Sequence, residues 1–475
     1  MVDPNNLLGD SSMTSDQVAW LAPALSAFVQ PFRVGFPKVT GYRHLTTYML
    51  GLLADLPRKS IEPIALAAGT APRTLQEFLA DYPWDDARLQ RMLLRQIADR
   101  PPGKNTSGGG GIGVIDASAH AKRGPKTPGA QRQYCGESGK IDNCTVGVHL
   151  VYTDNVPENP FSCALGSDLY LPQSWMENPA LRAEARVPEQ VTFRPKSRIA
   201  LDLLQEATGQ GVKMEYVTFD EEYGKVPAFW RELDALGQKA IGEVPRNFHC
   251  WTTLPKYRSL QKAFAAHRVD DLAGHSPVFG DQPWQTLRVK DTTRGAMVWQ
   301  VRWARVRIPD PRTGQPSERS YWLIVAYRQH RGGGSETKYF FSNAPAGEDL
   351  LRLLQAAFAR WHVEKWFERG KQESGLGDFE VRTYRSLRRH WLIARLTMLF
   401  LAQATTRLRG EKSADHLRAG GQLLPAVAGE DAGGLVAFLG GDDSAMPLPP
   451  ASQRSQLQES EGTDIERRFN VALSC

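Results

Sequence analysis

Features that would place this chain in a membrane or outside the cell are missing from its 475 residues. No run of about 18 or more apolar residues occurs, which is the least that a membrane-spanning helix needs. The N-terminal residues also lack a basic stretch followed by an apolar one, the pattern of a secretion signal. The sequence therefore predicts a protein without a membrane span that works in the cytoplasm.

The cysteines are too few and too scattered for a disulfide framework or a zinc knuckle. Their number is odd, and no Cys-x-x-Cys pair occurs. We interpret them, and the isolated His249-Cys250 pair, as structural residues. The five cysteines are Cys135, Cys144, Cys163, Cys250 and Cys475.

Charge of one sign is only slightly in excess. The net charge is +6, from 58 Lys and Arg against 52 Asp and Glu, which permits nucleic-acid binding without requiring it. Residues 360–412 contain twelve Lys or Arg and six Asp or Glu. A run of basic residues is usually a solvated helix face. This run also contains Glu364, a carboxylate that could hold a metal, and the combination favours a surface that faces phosphates. The densest part of the run is Arg382, Arg385, Arg388 and Arg389.

Residues 1–100 predict an all-helical domain. Tyr42–Leu56 has apolar residues at helical spacing. Ile61–Ala68 and Pro72–Ala80 then predict two short helices on either side of a glycine turn, the outline of a helix-turn-helix. Many helical hairpins share this outline. Our hypothesis is that this domain binds DNA, with Arg73 facing base edges or phosphates.

The remaining chain divides by composition into five segments. Residues 101–111 are rich in glycine and predict a linker. Residues 112–244 alternate strand-like and helix-like patterns, which predicts an α/β fold around a mixed sheet. Residues 245–343 predict a β-rich insertion, and residues 344–412 return to helices. Residues 413–475 are rich in Gly, Ala, Ser, Asp and Pro, which predicts a flexible tail.

The segment Arg360–Lys371 is the most informative part of the chain. On a helix, residues four and seven apart lie on one face, so Arg360, Glu364 and Lys371 form a line with a carboxylate between two cations. A carboxylate can hold a hard divalent metal, and flanking cations can hold phosphates. This combination suits phosphodiester chemistry if further carboxylates complete the site.

Asp116 and Asp220 are the carboxylates that can complete it. Each ends a predicted strand, and ligands bind at such sheet edges in α/β folds. If the strands are neighbours, these acids and Glu364 can share two Mg²⁺ ions roughly 3.5–4 Å apart. One ion would activate a water or a 3′-hydroxyl, and the other would stabilise the departing oxygen. Taken singly, such acids are more often turn formers, helix caps or solvated side chains.

Three parts of the chain together resemble bacterial insertion-sequence DDE transposases, which have an RNase H-like catalytic core. The resemblance runs from about residue 20 to about residue 408, and its third part is the most specific. The parts are Val114–Gly124 with Arg132–Cys144, then Val217–Gly224, and finally Arg360–Leu376 with Val381–Arg385.

The subgroup that this chain is similar to carries a Tyr-x-x-Arg-x-x-x-Glu-x-x-x-x-x-x-Lys signature. Arg360, Glu364 and Lys371 fit the signature, and its spacing favours Glu364 over Glu368 as the third acid. Ala357 stands at the tyrosine position, so the handling of the cleaved end, including any hairpin intermediate, stays open. Glu221 and Glu222 directly follow Asp220 and stay open as alternative ligands.

The resemblance implies an α/β, RNase H-like catalytic core with a β-rich insertion, preceded by the helical DNA-binding domain. It implies Asp116, Asp220 and Glu364 as catalytic and metal-binding acids, with two Mg²⁺ ions, or Mn²⁺ in their place. The implied activity is cut-and-paste transposition on double-stranded DNA, with cleavage at terminal inverted repeats and joining of 3′-hydroxyls to target DNA. Such an enzyme works as a homodimer on DNA, in the bacterial cytoplasm at the nucleoid.

The resemblance also implies which cations hold DNA. Arg360 and Lys371 would hold phosphates beside the scissile bond, and further basic residues would contact the DNA backbone. The candidates for backbone contact are Lys122, Arg123, Arg382, Arg385, Arg388 and Arg389.

Two alternative functions share these features. One is a catalytically inactive DNA-binding protein derived from a transposase, and the presence of all three acids argues against it. The other is an RNase H-like nuclease that cuts DNA without strand transfer, which would use the same acids.

Overall fold

The computed structural model describes residues 15–100, 111–156, 160–253, 266–292, 295–330 and 332–411. Residues 101–110 of the predicted linker and the whole predicted tail, 413–475, lie outside the described residues. Gly111, the last residue of that predicted linker, begins the first strand.

Helices alone make up the described N-terminal part. Their bounds are α1 (Ser15–Val29), a 3₁₀ helix (Gln30–Gly35), α2 (Val39–Leu53), α3 (Ile61–Ala67), α4 (Pro72–Ala80) and α5 (Asp86–Ala98). The predicted glycine turn is present between α3 and α4. Gly69 has a φ of +62° there, a left-handed conformation that a residue without Cβ adopts at little cost.

These helices bury their apolar faces against the C-terminal helix α15 (Tyr384–Glu411). The Tyr48 hydroxyl lies 3.0 Å from Nδ1 of His390, and the rings of Phe28 and Phe400 are 5.6 Å apart. The apolar residues at helical spacing on α4 are likewise buried. The two ends of the described chain therefore share one apolar core.

A mixed sheet forms the centre of the molecule. Its first strands are β1 (Gly111–Ala121), β2 (Gln131–Cys135), β3 (Lys140–Thr153), β4 (Ser162–Tyr170), β5 (Met214–Phe219) and β6 (Ala240–Glu243). β3 pairs antiparallel with β1 and β4, whereas β5 is parallel to both β1 and β6. The strand order is therefore β4-β3-β1-β5-β6, with β2 also paired to β3. Covered on both faces, these strands read as nearly continuous apolar runs.

One boundary in this sheet differs from the prediction. Asp116 does not end its strand, because β1 pairs with β3 residue by residue from Ile112 to Ala121. The apolar run stops at Asp116, but backbone hydrogen bonding to β3 continues beyond it. Asp220, in contrast, does directly follow the end of β5.

The β-rich segment continues the same sheet. β12 pairs antiparallel with β6, and β11, β10 and β9 follow in order. Two short strands, β7 and β8, pair separately. The bounds are β7 (His249–Cys250), β8 (His267–Arg268), α11 (Val269–His275), α12 (Pro277–Gly280), β9 (Gln285–Thr292), β10 (Gly295–Val306), β11 (Tyr321–Gln329) and β12 (Ser335–Ser342).

Helices cover both faces of the sheet. The remaining ones are α6 (Gln173–Met176), α7 (Pro179–Glu184), α8 (Lys196–Gly209), α9 (Glu221–Gly224), α10 (Pro227–Ala235), α13 (Leu350–Phe358) and α14 (Trp361–Glu373). α14 and α15 cover the face that carries Asp116, since Trp366 and Trp391 pack on His149, the cross-strand partner of Asp116. α8 covers the opposite face, where Leu203 lies against Gly166.

Within the described residues, every helix is too short or too polar to cross a bilayer.

Candidate active site

Two of the predicted acids occupy neighbouring positions in the sheet. Ile115 of β1 and Phe219 of β5 are paired in the parallel register, so the next residue of each strand, Asp116 and Asp220, follows at the same level. Adjacent strands lie about 4.8 Å apart, which brings the two side chains close together. The Asp220 side chain also accepts a hydrogen bond of 3.0 Å from the Glu222 backbone N–H, so Asp220 is the N-cap of α9.

The third acid approaches from the helix that covers this face. Arg360 precedes α14, and Glu364 lies in the first turn of that helix. One guanidinium nitrogen of Arg360 lies 3.3 Å from Oδ2 of Asp116, and the other lies 2.8 Å from Oε1 of Glu364. The arginine thus joins two acids that are 248 positions apart in the chain (364 − 116).

The site holds more negative charge than its cations balance. Burial raises the pKa of Asp116 to about 7, and the negative charge of Asp220 adds to this effect, while Arg360 opposes it. Burial and then Glu222 raise the pKa of Asp220. A carboxyl group whose pKa is raised by a neighbouring acid lies where a cation would be stabilised.

The donor set fits a hard divalent cation. Three carboxylates from β1, β5 and α14 supply only oxygen ligands, which Mg²⁺ prefers. Within the described part of the chain, no three acidic, histidine or cysteine side chains already form a metal-binding group. The Arg360 guanidinium contacts both Asp116 and Glu364 and so lies between these two acids.

Two of the three competing acids are engaged in ion pairs with lysines. Glu222 forms an ion pair of 2.8 Å with Lys196, and Glu368 forms one of 3.0 Å with Lys365. Glu364 instead faces Arg360, and about half of its side chain is exposed. These contacts favour Glu364 over Glu368 and Asp220 over Glu222, and Glu221 stays open as an alternative.

Lys371 and Lys122, the two predicted lysines, contact backbone oxygens. Lys371 Nζ lies 3.4 Å from the Ala119 carbonyl, a long contact that leaves the ammonium largely available. Lys122 Nζ donates to the carbonyls of Gly377 and Phe379, both at 2.8 Å. Burial lowers the pKa of Lys122 to about 8. Lys122 therefore joins the end of β1 to the segment after α14.

The prediction that Arg389 contacts DNA is wrong. Its side chain is only 2% exposed, and its guanidinium donates to the backbone carbonyls of Leu79, Tyr82 and Trp84. Burial lowers its pKa to about 10. This arginine closes the end of α4 onto α15 and has no path to a ligand outside.

The other predicted DNA contacts lie at the surface. Arg123, Arg382 and Arg385 are exposed. Arg73 is 85% exposed and pairs with Glu77, one helical turn away. Arg388 is partly exposed, and its Nε lies 3.3 Å from Oδ1 of Asp168. None of these residues lies in the group formed by Asp116, Glu364 and Arg360.

Tyr223 lies near the site acids, although no sequence signal beyond its place three residues after Asp220 indicates it. Its side chain is 1% exposed and packs on Phe219 and Phe229. Its hydroxyl has no hydrogen-bond partner in the described part of the chain. Burial raises the pKa of Tyr223 well above 10, and the nearby charge of Asp116 contributes. A buried hydroxyl without a partner is costly, which favours a role at the acids.

Comparison with known proteins identifies one family. The sequence model of the family described as DDE superfamily endonuclease matches residues 31–305. The match covers Asp116 and Asp220 and ends before Glu364. The resemblance to insertion-sequence transposases is confirmed: the chain is 27% identical over 361 residues to a probable transposase for insertion sequence element IS701 from Microchaete diplosiphon, covering 75% of this chain and 81% of that protein.

Among solved structures, the chain is similar to a piggyBac transposase synaptic complex with hairpin DNA, determined by cryo-EM. The sequence identity is 10%, and the TM-score is 0.39. The alignment covers 92% of this chain and 82% of that one.

Proposed function

Because the chain belongs to the DDE superfamily of endonucleases, we propose that it is a DNA transposase that cuts at element ends and transfers the 3′-hydroxyl into target DNA. Asp116, Asp220 and Glu364 are its catalytic acids. Arg360 carries the proposal, because one guanidinium joins acids from the first strand and from a helix near the other end of the core.

The core of this enzyme is RNase H-like in our proposal. Three antiparallel strands followed by two parallel ones, in the order β4-β3-β1-β5-β6, support that assignment. In this arrangement the first acid lies on the central strand and the second acid follows the strand beside it. Residues 245–343 enter between β6 and α13 and extend the sheet, as an insertion would.

Asp116, Asp220 and Glu364 would hold two Mg²⁺ ions, or Mn²⁺. When bound, such ions sharpen a water or 3′-hydroxyl as nucleophile and stabilise the departing oxygen. The chain itself supplies the remaining functions. A phosphate would draw Arg360 away from the acids, since its bidentate guanidinium suits phosphate as well as carboxylate. Lys371 would hold a second phosphate oxygen, and Tyr223 would donate its hydroxyl to Asp116 and fix that carboxylate's orientation.

DNA would extend from this site over the exposed cations. We assign backbone contacts to Arg123, Arg382 and Arg385, and a terminal-repeat contact to Arg73 on α4. Lys122 and Arg388 are engaged within the protein, so we assign them a positioning role. Work on two element ends requires at least a homodimer on DNA. Such an enzyme acts where bacterial DNA lies, in the cytoplasm at the nucleoid.

A metal-dependent cleavage assay on DNA that carries the element ends tests this proposal. We expect cleavage with Mg²⁺ by the parent protein and none by the Asp116→Ala variant. Equal cleavage by both proteins would refute the role of Asp116. Offering pre-cut ends and a target plasmid then separates a transposase from a nuclease, because only a transposase joins the ends to the plasmid.

A further inference from the structure

The hairpin of β2 and β3 extends beyond the rest of the sheet. Residues Cys144–Thr153 of β3 pair with β1, whereas Lys140–Asn143 pair only with β2. Residues 131–143 therefore form a two-stranded ribbon, which we name the β2–β3 ribbon. It begins where β1 ends, five residues beyond Asp116 (121 − 116), or about 17 Å along an extended strand.

One face of the ribbon is anchored to the core. Cys135 is fully buried and packs with Ala119 and Cys144. The carboxylate of Glu137, in the turn of the ribbon, accepts a hydrogen bond of 2.9 Å from the Ala121 backbone N–H. The Gln133 amide donates to the Cys144 carbonyl at 2.8 Å. The ribbon is thus curled over the end of β1 and held there, so its other face has a defined position.

That other face combines exposed apolar and basic side chains. Tyr134 and Ile141 are directly opposite each other in the register and are 68% and 62% exposed. Arg132 lies on the same face, two residues from Tyr134. Lys140 is opposite Cys135 in the register, so it lies at the turn on the other face of the ribbon. Both cations are exposed, and neither forms an ion pair within the described residues. Two large apolar side chains left in water at the tip of a hairpin indicate a binding surface.

The charge around the ribbon selects the partner. Residues 122–143 contain five Lys or Arg and two Asp or Glu. Lys126 is paired with Glu184 at 2.9 Å and Lys122 is held by backbone carbonyls, so Arg123, Arg132 and Lys140 are the exposed cations that suit a polyanion. A two-stranded β-ribbon also has the width to enter the major groove of duplex DNA. An exposed apolar pair beside Arg132, with Lys140 at the turn, suits a groove, where bases line the floor and phosphates line the walls.

We propose that the β2–β3 ribbon enters a groove of duplex DNA next to the acid site. Tyr134 and Ile141 lie against the sugars and base edges, Arg132 contacts a phosphate beside them, and Lys140 contacts a phosphate from the turn of the ribbon. This inference rests on the proposed function, because it needs DNA at Asp116, and it adds the surface that orients the duplex on the way to the acids.

The salt dependence of DNA binding tests the two cations. The probe is a mixed-sequence duplex of roughly 30 base pairs, about three helical turns, with EDTA present so that no cleavage occurs. We expect the double variant Arg132→Ala/Lys140→Ala to lower the slope of log affinity against log salt by about two, one for each phosphate that the variant no longer neutralises. The matched control is Lys213→Ala, an exposed cation at the opposite end of β1, beside Gly111. It should leave the slope unchanged.

Substitution of the uncharged pair, Tyr134 and Ile141, should change DNA affinity and leave its salt dependence unchanged. Tyr134→Ser should lower DNA affinity roughly tenfold, the effect of removing one aromatic ring from a buried interface, with an unchanged salt slope because no counterion is released. Ile141→Ser should act in the same direction. Leu236→Ser, at a residue that directly follows α10 and is 39% exposed, is the matched control. Thermal unfolding of each variant checks that the fold is kept.

Two outcomes would overturn the inference and are distinguishable from failure of the proposed function. If the parent protein binds the duplex and the ribbon variants bind with the same affinity and slope, the ribbon is not the DNA surface. If Tyr134→Ser changes only the oligomeric state in ultracentrifugation, the ribbon binds a second copy. If the parent protein itself does not bind DNA, the proposed function fails first, and this inference fails with it.

Discussion

The molecule contains two clusters of acids and arginines that differ in charge balance. In the first, Asp168 is contacted by Arg194 at 2.6 Å and by Arg388 at 3.3 Å, and Arg194 also pairs with Asp202 at 2.8 Å. Each acid there faces at least one guanidinium. In the second, the Arg360 guanidinium contacts Asp116 and Glu364 but forms no ion pair with Asp220, the third acid.

This difference separates an ion pair that maintains the fold from one that serves chemistry. In a balanced buried cluster the charges compensate one another without a ligand, and removing one partner leaves an uncompensated charge. An unbalanced cluster of acids is destabilising by itself and suits a cation that arrives from outside. Four substitutions can break or sharpen the comparison, and their effects run from large to small.

Asp116→Asn has the largest expected effect, on activity alone. DNA cleavage should fall by about 10³-fold or more, as for removal of one member of a catalytic set, because the carboxylate ligand is lost. Stability should stay equal or rise, since one of three repelling charges is removed. Cleavage kinetics and urea unfolding measure the two effects. A clear loss of stability without loss of cleavage would reverse our assignment of this cluster.

His390→Gln removes a histidine whose protonation makes folding stability depend on pH. Without this variant, that dependence would add to the stability changes of the two acid clusters. Burial lowers the pKa of His390 from 6.5 to about 4, so the unfolded chain takes up the proton first as the pH falls. Stability from this group is full above pH 6.5 and decreases toward pH 4, by on the order of 3 kcal/mol.

The variant should flatten this acid limb of the stability curve, measured by urea unfolding between about pH 5 and about pH 7. Glutamine can keep both contacts of the ring, with the Tyr48 hydroxyl and with the Gly375 carbonyl. A limb of unchanged steepness would assign the acid sensitivity to another group.

Asp168→Asn is the structural counterpart of the first substitution. It leaves Arg194 and Arg388 short of an anion and should lower the free energy of unfolding by about 2 kcal/mol, less than for fully buried partners because both arginines are partly exposed. Cleavage per folded molecule should stay close to that of the parent. Chemical denaturation measures the loss, and cleavage as poor as that of Asp116→Asn would contradict the distinction.

Tyr223→Phe has the smallest expected effect and acts on metal affinity. Loss of a hydroxyl that orients a ligating carboxylate should weaken Mn²⁺ binding about tenfold, with little change in stability because the ring and its packing remain. Electron paramagnetic resonance of free Mn²⁺ measures the affinity directly.

Tyr216→Phe, on strand β5 and also buried, is the matched control. Equal affinities for the parent and both variants would remove Tyr223 from the site. Absence of Mn²⁺ binding by the parent would instead count against the acids themselves.

Local patterns were sufficient for some elements and insufficient for others. α4 has the predicted bounds, Pro72–Ala80, because its start, apolar spacing and end are all set within nine residues. The end of β1 was misplaced because strand length depends on β3, which lies farther along the chain. That Asp116 and Asp220 share a level in the sheet required the register of β1 and β5, which no single segment contains.

The arginines show the same limit at the level of single side chains. Arg385 and Arg389 lie one helical turn apart in one basic run, yet the first is exposed and the second is buried under α4. Only the packing of the N-terminal helices on α15 distinguishes them. The contact of Arg360 with Glu364 follows from local spacing, because Arg360 directly precedes the helix that carries Glu364. The phosphate role of Lys371 stays a prediction.

The pairing of β12 with β6 limits how this chain can be shortened. Phe341 is paired with Gly242, so the β-rich segment supplies the hydrogen-bonding neighbour of the last core strand. A version lacking residues 245–343 would expose the unpaired N–H and C=O groups of β6 as a free edge, which invites intermolecular strand addition. A shorter relative without this segment must therefore cover the edge of β6 with another strand, helix or loop.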